Sequence, residues 1–246
     1  MSLAVPHPVE TNGPASREAA SDNALLMRDV RFRYPSTGFG LHVPHYALGP
    51  GERGFLRGPS GSGKTTFLGL ATGLLAAGEG EVAIGGMTMP DRPSARDALR
   101  ADAIGVIHQQ FNLLPYLDTL SNVLLPLAFG RDVAEEAMET AASLLERLGV
   151  PVSLHRAPAR RLSVGQQQRV AIARALMGTP KLVVADEPTS ALDTDARDAF
   201  LDVLFGAVEA TGAALLMVSH DPAVGERFPH ANDLREIATI TTETGA

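Results

Sequence analysis

The chain has 246 residues, 45% hydrophobic and 20% charged, so a substantial core is available. Its formal net charge of -7 argues against a general nucleic-acid surface, and no nucleic-acid partner is expected. Cysteine is absent, which excludes a disulfide framework and a thiolate metal site.

Met1 to Asn23 lacks a basic start and a continuous apolar segment, so it is no secretory signal; Pro6, Pro8, Gly13 and Pro14 give it the composition of a mobile tail. No apolar run reaches the roughly 18 residues of a membrane span. Ala24 to Tyr34 reads as a first strand, with Leu26, Val30 and Phe32 as apolar members. Pro35 to Gly40 is a turn cluster, Leu41 to Ala47 a second strand, and Gly49-Pro50-Gly51 a tight turn.

Gly54-Phe55-Leu56 then ends a strand, and Gly58-Pro59-Ser60-Gly61-Ser62-Gly63-Lys64-Thr65-Thr66 follows. This is the phosphate-loop spacing G-x-x-x-x-G-K-[ST]. Glycines allow a tight turn whose N–H groups point inward at a polyphosphate. Lys64 supplies a point charge for the β- and γ-phosphates, and Thr65 a hydroxyl for the accompanying Mg2+. Thr65 to Ala77 begins a helix whose positive end would lie under the phosphates.

Glu81 to Ile84 is a strand, Gly85-Gly86 a turn, Ala95 to Leu99 a short helix and Ile104 to Ile107 a buried strand. From Phe111 to Leu162 the pattern is helical. Asp132 to Leu148 spaces Val133, Ala137, Ala141, Leu144, Leu145 and Leu148 on one face, and Gly149 closes it. Gly165 to Met177 and Asp195 to Ala210 are helices; Lys181 to Ala185 and Ala213 to Val218 are short apolar strands. Short apolar strands alternating with helices imply a mostly parallel sheet buried on both faces. After Phe228 no closing strands are evident, and Thr239 to Ala246 reads as a polar tail.

The strand Leu182-Val183-Val184-Ala185 ends in Asp186 and Glu187. Asp186 is placed to hold Mg2+ through water. Glu187 is placed to polarise, or take a proton from, the water attacking the γ-phosphate. Two acids before Pro188 could by themselves simply start a turn; beside a complete phosphate loop the chemical reading leads.

Leu162-Ser163-Val164-Gly165-Gln166, continued by Gln167-Gln168-Arg169 and Val170 to Leu176, resembles the L-S-G-G-Q signature of ATP-binding cassette proteins. The resemblance spans about residues 24 to 228. It implies an α/β phosphate-loop NTPase fold with a RecA-like parallel-sheet core, an antiparallel β layer and an inserted helical subdomain at about 111–162, within a domain over 24–238. It also implies site residues. Gln109 would be the glutamine-loop residue, touching Mg2+ and the attacking water. Ser190 to Asp193 would be the loop after the catalytic glutamate. His220 would be the switch histidine on the γ-phosphate, and Tyr34 the ring against adenine. Ser163, Gly165 and Gln166 would bind the ATP of a second subunit, so two chains would pack head-to-tail, most simply as a homodimer. Val164 departs from the signature's first glycine; valine is tolerable there if φ is negative.

Repair and chromosome relatives carry coiled-coil or zinc-binding insertions, and translation relatives carry two cassettes in one chain. This chain has neither feature, so the transporter reading leads. Gly105 to Gln109, Phe111 to Pro115 and Thr119 to Val123 resemble the lipoprotein-releasing and macrolide-efflux ATP-binding subunits. That resemblance implies an integral membrane permease as partner, a place on the cytoplasmic membrane face, and docking on an apolar groove of Phe111, Leu113 and Leu114. A soluble regulatory ATPase or an uptake-system ATPase is the alternative.

Overall fold

A computed structural model describes residues 23–59, 61–128 and 134–242. The expected N-terminal tail up to residue 22, Ser60 of the loop, the expected helix start at Asp132 and Val133, and residues 243–246 lie outside the described residues.

In chain order the first half holds β1 (Leu25–Arg33), β2 (Phe39–Leu48), β3 (Arg53–Arg57), α1 (Lys64–Ala71), β4 (Glu79–Ile84), β5 (Met87–Thr88), α2 (Pro93–Ala103) and β6 (Ile104–Ile107). The second half holds α3 (Thr119–Ala128), α4 (Glu135–Arg147), α5 (Val164–Leu176), β7 (Leu182–Asp186), α6 (Thr194–Thr211) and β8 (Ala214–Val218). It closes with α7 (Pro222–Gly225), β9 (His230–Asp233), α8 (Leu234–Ile237) and β10 (Thr239–Thr242). Two sheets result, one antiparallel in the order β10-β2-β1-β4-β5 and one parallel in the order β6-β7-β8-β3-β9.

Strands β6, β7, β8 and β3 of the parallel sheet have no polar face because both faces are covered. Their two-residue period divides them between two cores. Leu56, Leu182, Val184, Leu216 and Val218 pack with α1 and with Leu25, Met27, Val43 and Ile84 of the antiparallel layer. Phe55, Val183, Ala185, Leu215 and Met217 pack with α5, α6 and the helical segment. On α1, Phe67 is fully buried and meets Tyr46 of β2 edge-to-face at 5.3 Å. Burial of such a ring contributes about 1.5–3 kcal/mol, and here it fixes α1 behind the loop that precedes it.

Two segments differ from the sequence expectation. The helix after the phosphate loop stops at Ala71, not Ala77, where the Thr72 hydroxyl folds back onto the Leu68 carbonyl at 2.7 Å. At the other end, Thr239–Thr242 is no tail but the edge strand β10, registered on β2 from Thr239 opposite His42 to Thr242 opposite Phe39. Threonine hydroxyls make the segment look polar, yet β-branched Thr-Ile-Thr-Thr suits an extended edge. Strand β9, also unexpected, has no apolar run; pairing with β3 orders it, and Asp233 caps α8 reciprocally with Glu236.

Phe111 corrects another expectation. It is 8% exposed and packs on Phe200 of α6, with ring centroids 6.5 Å apart, so it belongs to the core and not to an open groove. Leu113 and Leu114 are half-buried and Tyr116 is exposed. Fully buried Asn122 of α3 accepts from the Leu114 N–H at 2.7 Å and donates to the Leu114 and Asp118 carbonyls at 3.0 and 3.1 Å.

Candidate nucleotide site

Four neighbouring parallel strands end on one edge, and each delivers part of the site. Gly58 follows β3, Gln109 follows β6 by two residues, Glu187 follows β7, and Ser219-His220 follows β8. Carboxyl ends of parallel strands are where α/β sheets bind ligands.

The loop between β3 and α1 is shaped for close approach. Gly63, the N-cap of α1, is left-handed with φ +87°, and no side chain caps the helix, so its first N–H groups remain available to an anion. A Cβ on Gly63 would lie 3.2 Å from Phe39, and one on Gly58 would strike the Ser62 hydroxyl at 2.4 Å. Ser62 Oγ is buried with no hydrogen-bond partner among the described residues. Lys64 Nζ donates to the Gly58 and Pro59 carbonyls at 2.5 and 3.0 Å, which holds its charge over the loop. Gly61 and Thr65 are exposed, and Thr66 is buried. Tyr34 is half-buried, stacked edge-on with Phe32 at 4.7 Å and tilted against Phe39 at 6.2 Å. Because Phe39 also adjoins Gly63, this aromatic cluster borders the loop's end.

Asp186 closes β7 opposite Val218, and the Glu187 N–H donates to the Val218 carbonyl at 2.9 Å. Glu187 has φ +48°, a left-handed conformation that costs a non-glycine residue about 1–2 kcal/mol. Its carboxylate accepts from Ser219 Oγ at 3.2 Å and lies 2.9–3.0 Å from His220 Nδ1. Partial burial raises the Asp186 carboxyl above its ordinary range, and the Glu187 charge adds to that; His108 and Lys64 oppose it. Two acids and one lysine thus share one electrostatic field. Gln109 Nε2 donates to Ser190 Oγ at 3.0 Å, which brings the glutamine to the same edge.

Ser163 is the N-cap of α5 in a capping box: its hydroxyl accepts from the Gln166 N–H at 3.3 Å, and Gln166 Oε1 accepts from the Ser163 N–H at 3.0 Å. Val164 opens the helix, 58% exposed and outside the left-handed region, so valine is accommodated without strain. A Cβ on Gly165 would meet nothing nearer than the Gln168 amide oxygen at 3.9 Å. The chain's own packing therefore gives no reason for glycine there. Asp193 caps α6 by accepting from the Ala196 N–H at 2.8 Å. Among the described residues, Ser163, Gly165, Gln166 and Asp193 make no hydrogen bond to the phosphate loop. Asp193→Ala should cost about 1 kcal/mol, lowering the thermal midpoint by a few degrees. An unchanged midpoint in calorimetry would show that the cap contributes nothing.

Several residues join the site that spacing alone does not mark. Ser219 reaches Glu187 because β8 lies beside β7; the signal was its place just before His220. Ser190 receives Gln109 from the neighbouring strand end. Arg174 of α5 donates to the carbonyls of Phe111 and Asn112, in the turn that follows Gln109.

Fold and site together define a phosphate-loop nucleoside triphosphatase. The ABC transporter family matches residues 41–190. The chain belongs to that family, as an ATP-binding subunit that hydrolyses ATP. It is 40% identical over 221 residues to the lipoprotein-releasing system ATP-binding protein LolD of Pseudomonas fluorescens, covering 88% of this chain and 97% of that one. It is 39% identical over 202 residues to the macrolide export ATP-binding/permease protein MacB of Syntrophobacter fumaroxidans, covering 81% of this chain and 28% of that longer one. Among solved structures, a dimeric ATP-binding cassette in a post-hydrolysis state, bound to ADP and Pi, superposes with a TM-score of 0.71 at 32% identity, covering 90% of this chain and all of that one.

Proposed function

We propose that this subunit works in a head-to-tail pair, closing two ATP molecules between two copies and driving a membrane permease of the lipoprotein-release or efflux type. One observation carries the reading: at the start of α5 the signature residues Ser163, Val164 and Gly165 are exposed and Gln166 is half-buried, none of them bonded to the phosphate loop among the described residues, with a glycine that internal packing does not require. A signature at a helix N-terminus is an anion site, and a second copy supplies the anion. The domain over 24–238 is the unit that pairs; residues 239–242 extend its antiparallel layer.

In this reading Gly58 to Thr66 cradle the phosphates, with Lys64 on the β- and γ-phosphates and Tyr34 against the adenine. Glu187 polarises the attacking water. His220 exchanges its bond with Glu187 for one to the γ-phosphate, and Gln109 leaves Ser190 to face the same water. Asp193 and its loop line the seam between copies. Thr65, Asp186 and Gln109 suit Mg2+, which keeps several waters and takes a carboxylate and a hydroxyl beside substrate phosphates. Among the described residues no cluster of three or more His, Cys, Asp or Glu forms a metal cage, which fits an ion carried in with its nucleotide. Mg2+ would supply charge neutralisation between the phosphates when bound.

Among the described residues no helix is long and apolar enough to cross a membrane. The subunit would reach the cytoplasmic membrane face through its permease. Half-buried Leu113 and Leu114, with exposed Tyr116, form the docking surface. Asn122 pins the Leu114 backbone through both its N–H and its carbonyl, so a change of side chain leaves the loop in place. On docking, Leu114→Asp would bury an unpaired charge, at a cost of about 3–5 kcal/mol to the complex and not to the free subunit. ATP binding should persist while cell fractionation shows the subunit leaving the membrane fraction. Retention equal to wild type would place the docking surface elsewhere. A wild-type subunit that never reaches the membrane would favour the regulatory ATPase instead.

A further inference from the structure

Gln109 stands in a tight turn. The Phe111 N–H donates back to the His108 carbonyl at 2.9 Å, and the Asn112 N–H to the Gln110 carbonyl at 2.7 Å. The turn ends in two successive left-handed residues, Phe111 with φ +57° and Asn112 with φ +47°. Neither is glycine. Such backbone persists where its surroundings over-determine it. Three groups do so. The Phe111 ring is buried against Phe200, and Asn122 holds Leu114 on the far side. The third is Arg174, whose guanidinium donates to the Asn112 carbonyl at 2.7 Å and to the Phe111 carbonyl.

Arg174 lies in the last turn of α5, and Ser163 caps the first. The helix between them is one rod, about 15 Å long at 1.5 Å per residue. Any cation in that last turn would complement the helix dipole. Forked donation to two successive carbonyls needs the planar guanidinium, which lysine lacks. The two explanations of Arg174 can therefore be separated by one substitution.

We propose that Arg174 is a positioning residue for Gln109: its fork holds the left-handed turn Phe111–Asn112 against α5, and so couples Gln109's reach into the site to the helix that carries the signature. This rests on the role given above to Gln109. Arg174 touches no reacting atom. It acts through the turn.

Steady-state ATP hydrolysis by the purified full-length chain, with ATP affinity measured separately, tests this. Arg174→Lys keeps the charge at the helix end and should keep the thermal midpoint. It should lower kcat by about tenfold with ATP affinity within about twofold, because misplacing a positioned group costs turnover more than binding. Asn112→Val removes no buried group but forces a β-branched residue into positive φ, and should reproduce that loss. Asn112→Gly accepts positive φ and should hydrolyse ATP as wild type does. Added to Gln109→Ala, Arg174→Lys should cost less than about twofold more, since both changes act on one element. A full tenfold further loss in that double variant, or wild-type kcat in Asn112→Val, overturns the coupling and leaves the site reading intact. Wild-type turnover in Gln109→Ala alone overturns both.

Discussion

Glu187→Gln is expected to keep ATP bound and to lower turnover by about 10²–10⁴-fold, the range of a lost general base. Glutamine has nearly the same shape. It still accepts from Ser219 Oγ through its amide oxygen, a bond of 3.2 Å in the wild type, so the left-handed backbone at position 187 keeps its restraint. What it loses is the second anionic oxygen beside His220 Nδ1 and any capacity to take a proton from water. Binding depends on the loop around Lys64, which the change does not touch. Equilibrium binding of a fluorescent ATP analogue and single-turnover hydrolysis, measured on the same preparation, separate the two effects. Turnover near wild type would remove Glu187 from the chemistry and shift the burden to Asp186 or His220.

The second large effect concerns assembly. With hydrolysis blocked by Glu187→Gln, ATP should convert a largely monomeric chain into a dimer, because each signature then holds the other copy's γ-phosphate. Ser163→Arg should abolish that conversion. It places bulk where the phosphate must approach, and a cation at a helix N-terminus where the dipole already opposes it. It also removes the cap that accepts from the Gln166 N–H. The cap alone is worth about 1 kcal/mol, a drop of a few degrees in thermal midpoint, so the monomer should still fold and bind ATP. Light scattering with ATP should show dimer for Glu187→Gln and monomer for the pair of changes, a shift in dissociation constant of at least about tenfold. If the doubly changed chain dimerises fully with ATP, the signature does not face a second nucleotide.

Strands β1, β2, β4, β6, β7 and β8 were legible, because they alternate or run apolar over four residues or more. The chemistry was legible where it is local. Gly58 to Thr66 lie at the junction of one strand and one helix, so spacing along the chain is also spacing in space. The same holds for Asp186 and Glu187. Legibility failed where order comes from a partner. His230–Asp233 has no apolar pattern, and its pairing with β3 creates the strand. Thr239–Thr242 was hidden by its polar composition, although β-branched residues suit an edge strand. Phe111 was expected on a docking groove because it stands among apolar neighbours; a left-handed φ of +57° turns its ring into the core instead. Local pattern does not report a single positive φ at a residue other than glycine.

What the sequence determined by itself is the inventory: a phosphate loop entering a helix, an acidic strand end, a signature at a helix start, and a histidine after the last core strand. Each depends on neighbours a few residues away, and short-range sterics and hydrogen bonding specify them. The tertiary structure decided which of these meet. The order β6-β7-β8-β3 puts Gln109, Glu187, His220 and Gly58 on adjacent strand ends, while the signature, among the described residues, makes no hydrogen bond to its own loop. Strand order of that kind is not written in the strands. All are short, apolar on both faces and parallel, so no alternation records which neighbour each will take. Packing of α1 on one face and of α5 and α6 on the other makes the choice.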